Sequence, residues 1–233
     1  MKKYLSILMV LLFIGCIGVY SRSHWNLSLM QSGIDGILKI RTVATGEYDV
    51  DMEGAAIPLG DGYILALTHY TNPDKILMQT PFGAFEMDNK VETVKYTVNE
   101  IEAFLVGRED DLSLFKCPEI IDPYPIKWGD SDNIQPGDRV MLIGTTYGMS
   151  PLLADGIVSS IDFVPPEGAE GINFTNRLLF APHPDSGDSG TPLISIDSWG
   201  NYRIIGIVDQ SVGKLGSAIK SNYILETVES LKV

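Results

Sequence analysis

Ten short runs of β-forming residues, each bounded by Gly, Pro, Asp or Asn, constrain this chain more than any other feature. They fall at residues 36–43, 63–67, 76–80, 91–98, 101–106, 139–143, 157–163, 178–180, 193–196 and 203–208. β-Branched and aromatic side chains pack well on a pleated surface, and turn residues release the chain at each end. Repeated short runs of this kind build an antiparallel sandwich or barrel. No amphipathic helix of roughly 10 to 15 residues lies between them, which argues against βαβ units and hence against dinucleotide and P-loop folds. One helix is predicted, over 221–231, with Ser221 or Asn222 as its cap and Tyr223, Ile224, Thr227, Val228 and Leu231 along one stripe. Pro118, Pro123 and Pro125 mark a seam that divides the body into halves at about 32–117 and 127–220.

A chain of 233 residues that is 45% apolar and 20% charged has the composition of a folded domain with a core, not of a disordered segment. Its net charge of −13 has the wrong sign for neutralising phosphates, so nucleic acid is not an expected partner. The two cysteines, Cys16 and Cys117, allow neither a disulfide framework nor a zinc site built on cysteine pairs. The sequence holds no GxGxxG, GxxxxGK or HExxH pattern. Cys117 reads as an inert buried thiol.

The N-terminus is a separate piece. Lys2 and Lys3 precede an uncharged apolar run over 4–20, and Ser21, Arg22 and Ser23 return the chain to polar sequence. That length lies at the boundary between a signal-peptide core and a minimal membrane-spanning helix of roughly 17 residues. Phe13, Ile14, Gly15 and Cys16 look like a bacterial lipobox, with Phe at the position usually held by Leu, and would make Cys16 a lipidation site. In each version the lysines stay cytoplasmic and the remainder is exported. Residues 1–31 are therefore expected to be a signal or anchor segment with its tether, associating with the membrane, and 32–233 a single exported domain.

The sharpest motif is GDSGTP at 187–192. A serine flanked by glycines can sit on a tight turn that exposes its hydroxyl and converges backbone N–H groups on one point. Such a hydroxyl is a weak nucleophile until a base takes its proton, and the base must be oriented by a third group. The chain has three histidines, His24, His69 and His183. His69 ends the run GDGYILALTH, in which a glycine turn leads into a short apolar strand that stops at the imidazole. The run EDDLSLF at 109–115 offers the acid. Asp110 and Asp111 compete for that part, and the alternation that sets Leu112 and Leu114 on one face and Asp111 with Ser113 on the other selects Asp111. Taken singly, a serine turn, a lone histidine and a solvated loop acid each also fit a plain structural role.

Together these stretches make the chain similar to trypsin-like serine peptidases, and most of all to the protease domain of the HtrA family. The resemblance covers about residues 34–225. It rests on GAAIPLGDGYILALTH, DLSLF, WGDSDNIQPGDRVMLIGTTYG, GIVSSI, GDSGTPL and IIGIVDQSVGKLGSAI, in that order. It implies an all-β fold of two six-stranded antiparallel β-barrels with a catalytic triad between them and a C-terminal helix. The implied activity is cofactor-independent endopeptidase cleavage of polypeptide substrates. His69 would be general base and then acid, Asp111 its orienting partner and Ser189 the acyl-forming nucleophile, with the amides of Gly187 and Ser189 as oxyanion donors. His183, six residues before Ser189, falls where trypsin-like enzymes line the primary specificity pocket; there it would favour an acidic or amide side chain.

Three departures stand out. Asp188 precedes the serine where HtrA proteins usually carry Asn, Thr191 replaces their second glycine, and no PDZ domain follows the terminal helix. These put HtrA-type oligomeric quality control in doubt without touching peptide hydrolysis. No processing site before Ile34 offers a new N-terminus to pair with Asp188, so activity without such cleavage is expected. The alternative is a catalytically silent trypsin-like module for binding or envelope quality control; such modules usually lack a triad member, and none is missing here.

Overall fold

The structure is a computed structural model that describes residues 26–80, 83–144, 152–164, 174–185, 187–196 and 200–233. Cys16 and the apolar run around it lie outside the described residues. The described residues open with a helix, α1 (Leu27–Gly36), and continue through β1 (Leu38–Gly46), β2 (Val50–Gly60) and β3 (Tyr63–Leu67). A 3-10 turn at Thr68–Tyr70 leads to β4 (Lys75–Thr80), β5 (Gly83–Asp88), β6 (Val91–Val98), β7 (Ile101–Glu109) and β8 (Leu112–Lys116). The second half holds β9 (Arg139–Gly144), β10 (Leu152–Ser160), β11 (Arg177–Ala181), β12 (Pro192–Ile196), β13 (Tyr202–Val212), β14 (Leu215–Lys220) and α2 (Ser221–Leu231).

Two six-stranded antiparallel barrels close on themselves, in the orders β1-β2-β3-β8-β7-β6 and β10-β11-β14-β13-β12-β9, while β4 and β5 form a separate two-stranded ribbon. The fold class expected from sequence is thus the fold observed. Closure removes the unpaired edges that an open antiparallel sheet would present.

Alternation along single strands divides the apolar residues between the barrel interiors and the contact between barrels. In β8, Phe115 points into the first barrel with Ile40, Ile64 and Val98. Leu112 and Leu114, on the opposite face, join the cluster shared by both barrels. In β9, Val140 and Leu142 fill the second barrel with Leu178, Phe180 and Val208, and Met141 and Ile143 face the shared cluster. Burial of these side chains from both halves in one cluster holds the two barrels in a set geometry.

Each of the ten predicted runs overlaps a strand, but several details differ. The first run was expected to start at residue 36; Gly36 instead ends α1, and β1 starts at Leu38. The run expected at 157–163 is β10 at Leu152–Ser160, where pairing of Leu152 with Gly144 and Gly156 with Val140 extends the strand back over LLADG, whose Leu152 and Leu153 are exposed. β2, β5 and β14 carry Gly, Pro or Ser positions that weaken a β pattern, and they are strands because neighbours supply both ladders or close a hairpin.

The terminal helix was not the only one. α1 contains Gly33 and two serines, poor formers of a helix interior, and packing holds it in place. Asn26 caps it through a bond from Leu29 N to Oδ1 at 3.1 Å, Met30 is fully buried, and the Tyr124 hydroxyl donates to Gly33 O at 2.8 Å. A Cβ on Gly33 would lie 2.9 Å from Ile143 Cδ1, so the glycine permits the close approach of helix to barrel. In α2 the expected cap is corrected. Lys220 takes the N-cap position without a side-chain bond, Ser221 Oγ donates to Gly129 O at 2.9 Å, and Asn222 Nδ2 donates to Asp130 and Asp132. Both polar side chains fasten the helix to the 128–133 loop instead of capping it. Among the described residues, no helix is long and apolar enough to cross a membrane.

Candidate active site

The pairing of β3 with β8 places Leu67 opposite Leu112, so the residues after one strand and before the other meet at the same end of the first barrel. Asp110 and Asp111 form the turn between β7 and β8, with Asp110 at φ 52°, a left-handed conformation that Asp tolerates better than most residues. Thr68 N donates to Asp111 O at 3.0 Å, His69 N donates to Asp111 Oδ1 at 3.0 Å, and His69 Nδ1 lies 2.8 Å from Asp111 Oδ2. An ionised carboxylate only accepts, so this contact places the ring proton on Nδ1 and leaves the Nε2 lone pair available to take another. The His69 ring leans on Tyr70, centroids 4.2 Å apart. Below it, Ser113 Oγ joins the hydroxyls of Thr68 and Thr71 at 3.0 and 2.8 Å, anchoring the turn from beneath.

Ser189 stands on the loop between β11 and β12. Gly187 and Gly190 adopt φ 101° and 88°, and a Cβ on Gly190 would lie 2.5 Å from the Ala55 carbonyl of β2. The loop is thereby pressed against the first barrel at a position that only glycine satisfies. Asp188 is buried and folds back on its own loop: its Oδ2 accepts from Asp185 N at 2.8 Å, and its amide donates to Asp185 O at 3.1 Å. The Ser189 hydroxyl donates to the Asp209 carbonyl of β13 at 3.0 Å. Among the described residues no hydrogen bond joins Ser189 to His69, and none uses the Ser189 N–H.

Beside this group lie residues that the sequence did not single out. Arg177, at the start of β11, sends Nε to Asp209 Oδ2 at 2.6 Å and Nη1 to Asp110 Oδ2 at 3.0 Å. Asp110, the competitor for the orienting acid, therefore faces the second barrel while Asp111 faces His69. The one signal for this cluster was a charged residue opening an otherwise apolar run, RLLFA, and another inside IIGIVDQ. Burial pushes the Asp209 carboxyl up, and the Arg177 guanidinium holds it down in part.

His183 is exposed between Pro182 and the buried Pro184, whose carbonyl accepts from Ser211 Oγ at 3.2 Å. Its side chain makes no hydrogen bond or ion pair among the described residues. Cys117 is fully buried, and burial pushes its thiol up.

A closed double barrel with a His–Asp pair at the end of one barrel and a glycine-flanked serine on a loop of the other is the architecture of trypsin-like proteins. The chain belongs to the trypsin-like peptidase domain family, whose model matches residues 60–207. It is 25% identical over 217 residues to a probable periplasmic serine endoprotease, DegP-like, of Rickettsia conorii, covering 87% of this chain and 39% of that protein. It is 27% identical over 187 residues to a probable periplasmic serine protease, do/HhoA-like, of Haemophilus influenzae, covering 76% of this chain and 36% of that protein. The chain thus spans less than two fifths of the length of these curated relatives. Among solved structures, the HtrA-type protease AlgW with a tripeptide superposes with a TM-score of 0.59 at 23% identity, over 87% of this chain and 63% of that one, a likeness of fold.

Proposed function

We propose that this chain is a serine endopeptidase acting through an acyl-enzyme. The observation that carries the reading is the two-point grip of Asp111 on His69, through the backbone amide and Nδ1, on the barrel against which the glycine-flanked Ser189 loop is packed. In the first step Ser189 Oγ attacks the substrate carbonyl while His69 Nε2 takes its proton. Asp111 holds the tautomer and stabilises the imidazolium. The oxyanion forms where the amides of Gly187 and Ser189 are its donors. Collapse expels the amine with the proton from His69, and water hydrolyses the acyl group by the same base. Before attack the serine hydroxyl leaves the Asp209 carbonyl, exchanging one hydrogen bond of about 1 kcal/mol for another.

Relatives named periplasmic serine endoprotease and periplasmic serine protease and the apolar run after Lys2 and Lys3 support export, with the residues ahead of α1 as signal or anchor, Cys16 as a lipid attachment point, and the residues from α1 onward, whose Met30 is buried in the core, as the protease domain acting on polypeptides. His183 is proposed as a wall of the specificity pocket. Labelling of the purified chain with a fluorophosphonate probe tests the chemistry: wild type is expected to label, and Ser189→Ala and His69→Ala to stay blank. A folded wild-type chain that never labels would favour the second reading, a silent binding module, to which the Ser189 bond to Asp209 rather than His69 lends its support.

A further inference from the structure

An ionic cluster that the reaction above does not use spans the two barrels beside the site. The side chains of Arg177 and Asp209, on β11 and β13, are 4% and 3% exposed, and that of Asp110, in the β7–β8 turn, is 21% exposed. The guanidinium bonds both carboxylates and also the Thr175 carbonyl at 3.0 Å. Its planar fork sets the angle between its partners, which a lysine ammonium would not do. Buried ion pairs seldom improve stability over well-packed apolar residues, so stability alone is a weak reason for this one.

Each carboxylate is directly connected to the site. Asp110 precedes Asp111, and its carboxylate on Arg177 fixes the peptide from which Asp111 projects toward His69. Asp209 occupies the register shift of β13 between Val208 and Gln210, and its own carbonyl receives the Ser189 hydroxyl. The side chains of Asp110, Asp111 and Asp209 bring three carboxylates to this corner, and Arg177 is the cation that bonds two of them.

We propose that Arg177 is a positioning residue for the peptidase: by holding Asp110 and Asp209 across the barrel contact, it aligns the acid of one barrel with the serine loop of the other and balances the negative charge behind His69. This inference rests on the serine-peptidase reading, which the wild-type chain tests separately.

The experiment is the rate of fluorophosphonate labelling of the full chain over about pH 5 to 9, in wild type, Arg177→Gln, Arg177→Lys and Asp110→Asn. The charged and titratable groups around the His69 turn are Asp111 and Asp110 from the β7–β8 turn, Tyr70 from its own turn, Arg108 from β7, which bonds the Thr71 carbonyl and the Tyr96 hydroxyl of β6, Arg177 from β11 and Asp209 from β13. Arg177→Gln is expected to label about 10- to 100-fold more slowly. Its acid limb should move up, because uncompensated carboxylates favour the imidazolium. Asp110→Asn, which keeps a residue that accepts positive φ, should move that limb down. Arg177→Lys should restore the limb, which follows charge, but not the rate, which follows the fork. A purely structural role would slow labelling without moving the limb in opposite directions. Wild-type rate and limb in Arg177→Gln would overturn the proposal. Should that variant not fold, unchanged rates and limbs in Arg177→Lys and Asp110→Asn would overturn it equally. A wild-type chain that does not label removes the peptidase reading itself, and this inference with it.

Discussion

The Ser189 hydroxyl donates to the main-chain oxygen of Asp209, 3.0 Å away, while the ring of His69 is held by Asp111 at 2.8 Å. The proposed nucleophile and the proposed base are each anchored to a group of their own barrel. The loop carrying Ser189 presses on β2 of the first barrel through Gly190.

Asp111→Asn should leave the fold intact and lower the labelling rate by about 10⁴-fold. An amide can still accept from His69 N, but its NH₂ can donate to Nδ1 and so favour the wrong tautomer. The check is labelling kinetics beside an unchanged near-UV circular dichroism spectrum.

Gly190→Ala should destabilise the chain by about 2 to 4 kcal/mol and abolish labelling, since an L-residue at φ 88° is strained and its Cβ would meet the Ala55 carbonyl. Urea unfolding measures the first effect. A wild-type midpoint would mean that the loop does not pack on β2 as described.

Asp209 supplies a pH dependence whose sign follows from its burial. Its carboxyl is raised above the ordinary value in the folded chain, so the fold binds this proton more tightly than the unfolded chain does. The contribution to stability is full below the ordinary carboxylate range and is lost as pH rises through the folded value. Asp209→Asn keeps the carbonyl that receives Ser189 but no longer titrates. The stability of the variant relative to wild type should therefore improve from about pH 4 to pH 7 in urea unfolding. A difference that stays flat or worsens with pH contradicts the burial-driven shift.

Docking of α1 should be worth a measurable share of the stability. Met30→Ala empties a fully buried position and is expected to cost about 2 to 4 kcal/mol. Tyr124→Phe, which removes the bond to Gly33 O, should cost about 1 kcal/mol. Denaturant unfolding of both variants, with labelling as a second readout, separates loss of stability from loss of the site.

What could be read along the chain was local. The two-residue period of DLSLF announces β8 and its two faces, and the dense turn residues together with the lack of helices between strands announce an antiparallel all-β sandwich or barrel. The residue types for a nucleophile, a base and an acid were equally visible, because each stands at the end of a strand or within a glycine turn. What the chain did not reveal depends on contacts between residues distant in sequence. α1 has glycines that argue against a helix, and it exists because Met30 and Gly33 find the 124–143 region. β2 and β14 are strands because ladders on both sides complete them. The alternation of DLSLF selects Asp111 over Asp110 as the partner of His69, but it gives no sign of what Asp110 meets; barrel closure brings Arg177 to Asp110 and His69 to Asp111. Sequence by itself determined the secondary-structure period and the chemistry on offer, since both are properties of neighbouring residues; tertiary structure decided which charges meet, since a hydrogen bond of about 3 Å depends on strand register and packing across the whole fold.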